Sequence, residues 1–92
     1  MSVGQKDKEL ERVLKALANR RRLAILRFIA KEKQVNVGGM AEELRLSFKS
    51  TSKHLAVLVA AGVLEKEQHS SQMFFSLSPT MHRLAGKTIS HL

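Results

Sequence analysis

The stretch that most limits what this chain can fold into is residues 47–62, SFKSTSKHLAVLVAAG. Ser47 is a favoured N-cap type, and Gly62 stands where a helix-ending glycine is favoured, so one helix is predicted between them. At about 100° per residue, Thr51, Leu55 and Leu58 share one face, flanked by Phe48 and Val59. Lys49, Lys53, Ala56 and Ala60 share the opposite face. An exposed face of two cations and small side chains suits a helix lying in a DNA major groove, where bulk would hold the backbone away. It also suits an ordinary amphipathic helix with solvated lysines, so the flanking segments bear on the choice. Phe48 is expected to pack on the preceding helix, and His54 falls at the border of the core face.

That preceding helix is predicted over residues 37–45, capped by Asn36, with Val37, Met40, Ala41 and Leu44 facing inward. Gly38 and Gly39 weaken its first turn or permit a close backbone approach. With Arg45-Leu46 as the turn, the two segments make a helix-turn-helix pattern. Upstream, Leu10, Val13, Leu14 and Leu17 form a narrow apolar stripe over residues 6–18, behind a loose tail at residues 1–5. Asn19 can cap a helix over residues 20–30 that has little polar surface and should be the most buried. Its Arg20-Arg21-Arg22 run lies where the helix dipole disfavours cations, so an anion nearby is expected: DNA phosphate, or Glu9 or Glu11. Residues 31–35 read as a polar connection.

After Gly62 the period changes. Residues 63–68 and 72–77 read as two strands around His69-Ser70-Ser71, a hairpin "wing". Ser78 as cap and Pro79 at the first position start a last helix, with Met81, Leu84, Ala85, Thr88, Ile89 and Leu92 as its apolar stripe. The fold class is therefore mainly α with a small β-hairpin, a single winged helix-turn-helix domain over residues 1–92 in the order α-α-α-α-β-β-α. The terminal helices, 6–18 and 79–92, each carry a stripe that so small a core would not fully cover. The expected homodimer interface is Leu10, Val13, Leu14, Leu17, Met81, Leu84, Ala85, Thr88 and Ile89. Pairing there would set two recognition helices on one face, a helical turn apart.

Charge and composition narrow the partner. Sixteen Lys+Arg against eight Asp+Glu leave a formal net charge of +8 on 92 residues, and nucleic acid is the commonest partner for such a chain. Anionic membranes and acidic proteins compete. Four phenylalanines, with no Tyr or Trp, argue against a single-strand binder that stacks bases on aromatic platforms. An apolar share of 43% is enough for one core. The absence of cysteine excludes disulfides, thiolate metal sites and cysteine catalysis, and fits a reducing compartment. The charged QKDKELERV near the start offers no secretory signal, and no apolar run is long enough to span a membrane. No nucleophile–base–acid set stands out, and Glu42-Glu43 diverge by about 100° on a helix, so no enzymatic role and no cofactor are expected.

Three stretches carry a resemblance to the ArsR/SmtB-type winged-helix repressors over about residues 13–77: LKALANRRRLAILRFI (14–29), NVGGMAEELRLSFKSTSKHLAVLVAAGVL (36–64) and MFFSL (73–77). The resemblance implies a prokaryotic, cytoplasmic, nucleoid-associated homodimer that represses transcription by binding an operator in double-stranded DNA, often released by an effector. The departures are specific. Arg20 stands where the family often has proline, and no thiol precedes the turn. The wing tip is Ser70-Ser71 rather than Gly then Arg, and Glu65 and Glu67 flank Lys66, so the helices should carry more of the backbone contact. His82 and His91 are too far apart in sequence for one same-face helical metal site, and no metal is assigned.

The expected DNA contacts are Lys49 and Lys53 on the groove-facing side, with Ser50 and Ser52 beside them. Ser47 reads more as a cap than as a base reader, and Arg45 and Arg20 are candidate phosphate contacts, ahead of Arg21 and Arg22. Met40, Met73 and Met81 read as core fillers. The leading reading is a dimeric, sequence-specific transcriptional regulator, expected to be a repressor. Its rivals are a non-specific architectural DNA-binding protein and a protein-interaction winged helix.

Overall fold

Helix α2 (Arg20–Glu32) forms the hub of the fold, with Ile25, Leu26 and Ile29 fully buried. Four other helices pack around it: α1 (Gln5–Leu17), α3 (Val37–Leu44), α4 (Phe48–Ala60) and α5 (Arg83–Ser90). The computed structural model describes residues 3–92. Of the tail expected at residues 1–5, Met1 and Ser2 lie outside the described residues, and Gln5 already belongs to α1.

The caps predicted for α2, α3 and α4 form. Asn19 Oδ1 accepts from the Arg22 amide at 3.0 Å, Asn36 Oδ1 from Gly39 at 2.7 Å, and Ser47 Oγ from Ser50 at 3.0 Å. A Cβ on Gly39 would lie 3.1 Å from Asn36 Oδ1, so this glycine makes room for the cap itself. Gly62 has φ +75°, and the pair Gly62 N–H to Val59 O (3.0 Å) and Val63 N–H to Leu58 O (3.0 Å) closes α4 in a Schellman motif.

Two sequence expectations need correction. Residues 31–35 are not simply a polar connection. Helix α2 runs on to Glu32, the chain reverses at Lys33 (φ 76°), and Val35–Asn36 forms strand β1. This strand pairs antiparallel with β3 (Gln72–Leu77), which also pairs with β2 (Leu64–His69), giving a three-stranded sheet in the order β1-β3-β2. The element order is therefore α-α-β-α-α-β-β-α. Two residues carry no alternation to detect; Val35 is drawn in because it is buried opposite Phe75.

The second correction concerns the last helix, which starts at Arg83 and not at Pro79. Ser78 is buried and caps only a local turn, its Oγ accepting from the Thr80 amide at 3.3 Å. The chain then extends at His82 (φ −56°, ψ 142°), whose Nδ1 caps α5 by accepting from the Leu84 amide at 3.0 Å. This break lets Met81 fold back onto the core, its sulfur beside Gly86, so Met81 belongs to the connection and not to a helical stripe.

Candidate nucleic-acid interface

The geometry of α4 follows its cap and its three buried residues. Thr51, Leu55 and Leu58 are 0%, 1% and 0% exposed, and Thr51 Oγ1 donates to Ser47 O at 2.9 Å. That anchoring turns Lys49, Lys53, Ala56 and Ala60 into solvent. Helix α4 carries no carboxylate. Its outer face is therefore a cationic ridge with low relief. Ser50 and Ser52 sit half-buried on its two shoulders, Ser52 in a shallow hollow with Val37, Lys66 and Phe75 that separates the helix from the base of the wing. Ser47 is exposed, but its hydroxyl is committed to the cap.

Arg45 closes α3 in an unusual way. It is exposed and left-handed (φ 54°, ψ 45°), while its amide donates to Glu42 O at 3.2 Å and the Leu46 amide donates to Ala41 O at 2.9 Å. This is the same Schellman geometry as at Gly62, but with a long cation at the position that favours glycine. A side chain in this left-handed region is strained where glycine would not be.

The arginine run divides, and among the described residues the pairing expected with Glu9 or Glu11 does not form. Arg20 and Arg21 are exposed at the start of α2, and among the described residues neither forms an ion pair with Glu9 or Glu11. Arg22 turns to the end of α1: Nη2 donates to Lys15 O at 2.9 Å and Nε to Ala16 O at 2.6 Å. Ala18 and Asn19 amides reach Leu14 O and Leu17 O, so all four terminal carbonyls of α1 have donors. A cation at a helix C-terminus is also favoured by the dipole. Nη1 lies 3.2 Å from His54 Nδ1, and because a guanidinium can only donate, Nδ1 accepts and the ring proton sits on Nε2. Arg22 thus ties α1 and α2 to the middle of α4. His54 is half-buried there, and its pKa is lowered by burial, then by the positive charges of Arg22 and Arg21.

Phe48 does not pack on α3 as expected: it is 63% exposed. As the first residue of α4 it has no preceding helical turn to lie against, and its ring borders a cleft opposite the wing tip residues Ser71, Gln72 and Met73. The wing itself is a two-residue hairpin, with His69 paired to Gln72 and Ser70 at φ 58°. Every β2 residue after Leu64 is exposed, including Glu65, Lys66 and Glu67.

Along α1 and α5, the residues expected to form a dimer surface divide. Val13 (4%), Leu17 (6%) and Ala85 (0%) are buried within the chain, because they bind α1 and α5 to the core, and so offer no surface to a partner. Leu14 is 48% exposed, and Leu10, Leu84, Thr88 and Ile89 are partly exposed. Met81 is partly exposed as well but packs against the core.

Comparison with known proteins places this geometry. Residues 19–66, from the start of α2 through the first half of the wing, match the family described as "Bacterial regulatory protein, arsR family". The transcriptional activator HlyU of Vibrio cholerae is 37% identical over 68 residues, an alignment covering 74% of this chain and 62% of that protein, so less than two thirds of its length. A solved structure of Vibrio cholerae HlyU superposes with a TM-score of 0.80 at 29% identity, covering 97% of this chain and 92% of the other. A homodimeric winged helix-turn-helix DNA-binding domain from Mycobacterium bovis shares the fold, with a TM-score of 0.79 at 24% identity over 98% and 85% of the two chains. The chain belongs to the arsR family of bacterial regulatory proteins.

Proposed function

We propose that the chain is a homodimeric transcriptional regulator that binds double-stranded DNA sequence-specifically, with α4 in the major groove. The observation that carries this reading is the outer face of α4, where Lys49 and Lys53 stand exposed on a helix without a carboxylate. Arg45 and Arg20 add cations at the turn and at the start of α2. In this reading Lys49 and Lys53 reach bases or phosphates, Ser50 and Ser52 donate from the shoulders, and Arg45 and Arg20 hold backbone phosphate. Ser47 contributes through its cap. Leu14, exposed, with the partly exposed Leu10, Leu84, Thr88 and Ile89, forms the dimer surface, and the protein acts on the nucleoid in the cytoplasm. Occupancy of an operator that overlaps a promoter would repress; the HlyU relative is named an activator, so the position of the operator sets the sign.

The test is selection of binding sites from a random duplex library at near-physiological salt. An enriched inverted repeat supports the reading. With roughly four to eight phosphate contacts per dimer, log K should fall against log salt with a slope of about −4 to −7. A flat salt response would overturn it. The exposed Glu65 and Glu67 on the wing favour a second reading, an architectural protein with little sequence preference. Strong binding without an enriched motif, and less than about a thousandfold preference over random DNA, would select that alternative.

A further inference from the structure

Of the four phenylalanines, Phe48 is the one left largely in water. It opens α4, next to the Ser47 cap and Lys49, and across its cleft stand the start of α3 and the wing tip. Neither α1 nor α5 lines that cleft, so the surface proposed for dimerisation does not cover the ring. Helical side chains lean toward the N-terminus, so a first-turn side chain extends past the helix end, and this is the end of a recognition helix that meets base edges. The cleft is lined by uncharged residues, and the cation beside the ring is Lys49, the next residue of α4, exposed on the face proposed to meet DNA.

A phenyl ring has no hydrogen-bonding group, so it cannot read the donors and acceptors of the groove floor. The one apolar feature there is the thymine 5-methyl group. We propose that Phe48 is a specificity-determining residue that selects thymine at one position of each half-site by contact with that methyl. The inference rests on α4 being the recognition helix.

The experiment uses the full chain and the duplex recovered by selection. Each thymine is replaced in turn by deoxyuridine, which removes only the methyl, and binding is followed by fluorescence anisotropy. Losing one methyl-sized apolar contact should weaken association about fourfold for one half-site and about fifteenfold for both. Phe48→Ala should bind the thymine duplex more weakly and be indifferent to that same replacement. The exposed ring predicts an unchanged thermal midpoint for this variant; should it unfold, Phe48→Leu, with a smaller contact, should show a reduced uracil effect.

Tolerance of uracil at every position would overturn the proposal, as would a Phe48→Ala protein that keeps the wild-type sensitivity. Either result leaves operator binding intact. A Phe48→Ala protein that binds DNA normally but loses a protein partner would also overturn it. If selection recovers no site, the reading of α4 fails first and this inference fails with it.

Discussion

Replacing Arg45 by glycine separates two effects that the native residue combines. Its backbone lies in the left-handed region (φ 54°, ψ 45°), where a side chain costs about 1–2 kcal/mol. Glycine removes that cost but loses about 0.5–1 kcal/mol more conformational entropy on folding. The balance runs from neutral to about 1.5 kcal/mol in favour of the variant, or up to about 12 °C in the thermal midpoint for a domain of this size. DNA binding should move the other way. Losing one phosphate contact per protomer removes two per dimer, so the salt slope becomes shallower by about 1.8, and at 0.15 M salt the affinity falls about thirtyfold. Thermal unfolding and anisotropy titrations over a salt series read both quantities. Arg45→Ala is the control, because it loses the charge but keeps the strained Cβ; it should lose the same affinity without gaining stability. A glycine variant less stable than the native protein would refute the strain argument. Unchanged salt slopes in both variants would refute the phosphate contact.

Arg22→Met should cost about 2 kcal/mol in urea unfolding, because it strips donors from Lys15 O and Ala16 O at the end of α1; a loss under about 0.5 kcal/mol would mean that water replaces the guanidinium there. His54 holds its proton less tightly when folded than a free histidine, whose pKa is 6.5, so the unfolded chain protonates first. Its contribution to stability is then complete above about pH 6.5 and declines as pH falls through the depressed folded value. His54→Asn, which keeps an acceptor for Arg22, should flatten that decline in denaturation midpoints taken from pH 7.5 to 5.5; an equally steep decline in the variant would exclude His54 as its source. Leu14→Glu should convert the dimer to monomer in sedimentation equilibrium, weakening association by roughly 10²–10⁴-fold through two symmetric leucine sites, with the protomer fold intact. An unchanged mass would move the interface elsewhere.

The parts of the fold that could be read from sequence are those with local causes. Asn19, Asn36 and Ser47 each cap their own helix through a bond three residues on, and the buried face of α4 follows from its helical period. The parts that could not be read depend on partners distant in sequence. Strand β1 exists because Phe75 and Phe74 lie alongside Val35 and Asn36. The late start of α5 depends on Met81 finding the core, which Pro79 and Ser78, good helix-starting residues by type, do not reveal. Likewise Val13, Leu17 and Ala85 share an apolar stripe with exposed neighbours, and periodicity cannot tell which of them meets the chain's own core.

The same division runs through the candidate site. Lys49 and Lys53 are legible because their exposure is the complement of the buried stripe on their own helix. Arg22 was indistinguishable from Arg20 and Arg21 by type, and only the folded corner between α1 and α2 assigns it to Lys15 O and Ala16 O. Phe48 lay on the shoulder of the apolar face by angle, but angle alone ignores that the first helical turn has no turn before it to cover a side chain. A general consequence follows for short helix-turn-helix chains. Residues at the first position of the recognition helix are freed from the core by the geometry of the helix end, so a large apolar residue there is not bound to packing, and its chemistry is available to the groove.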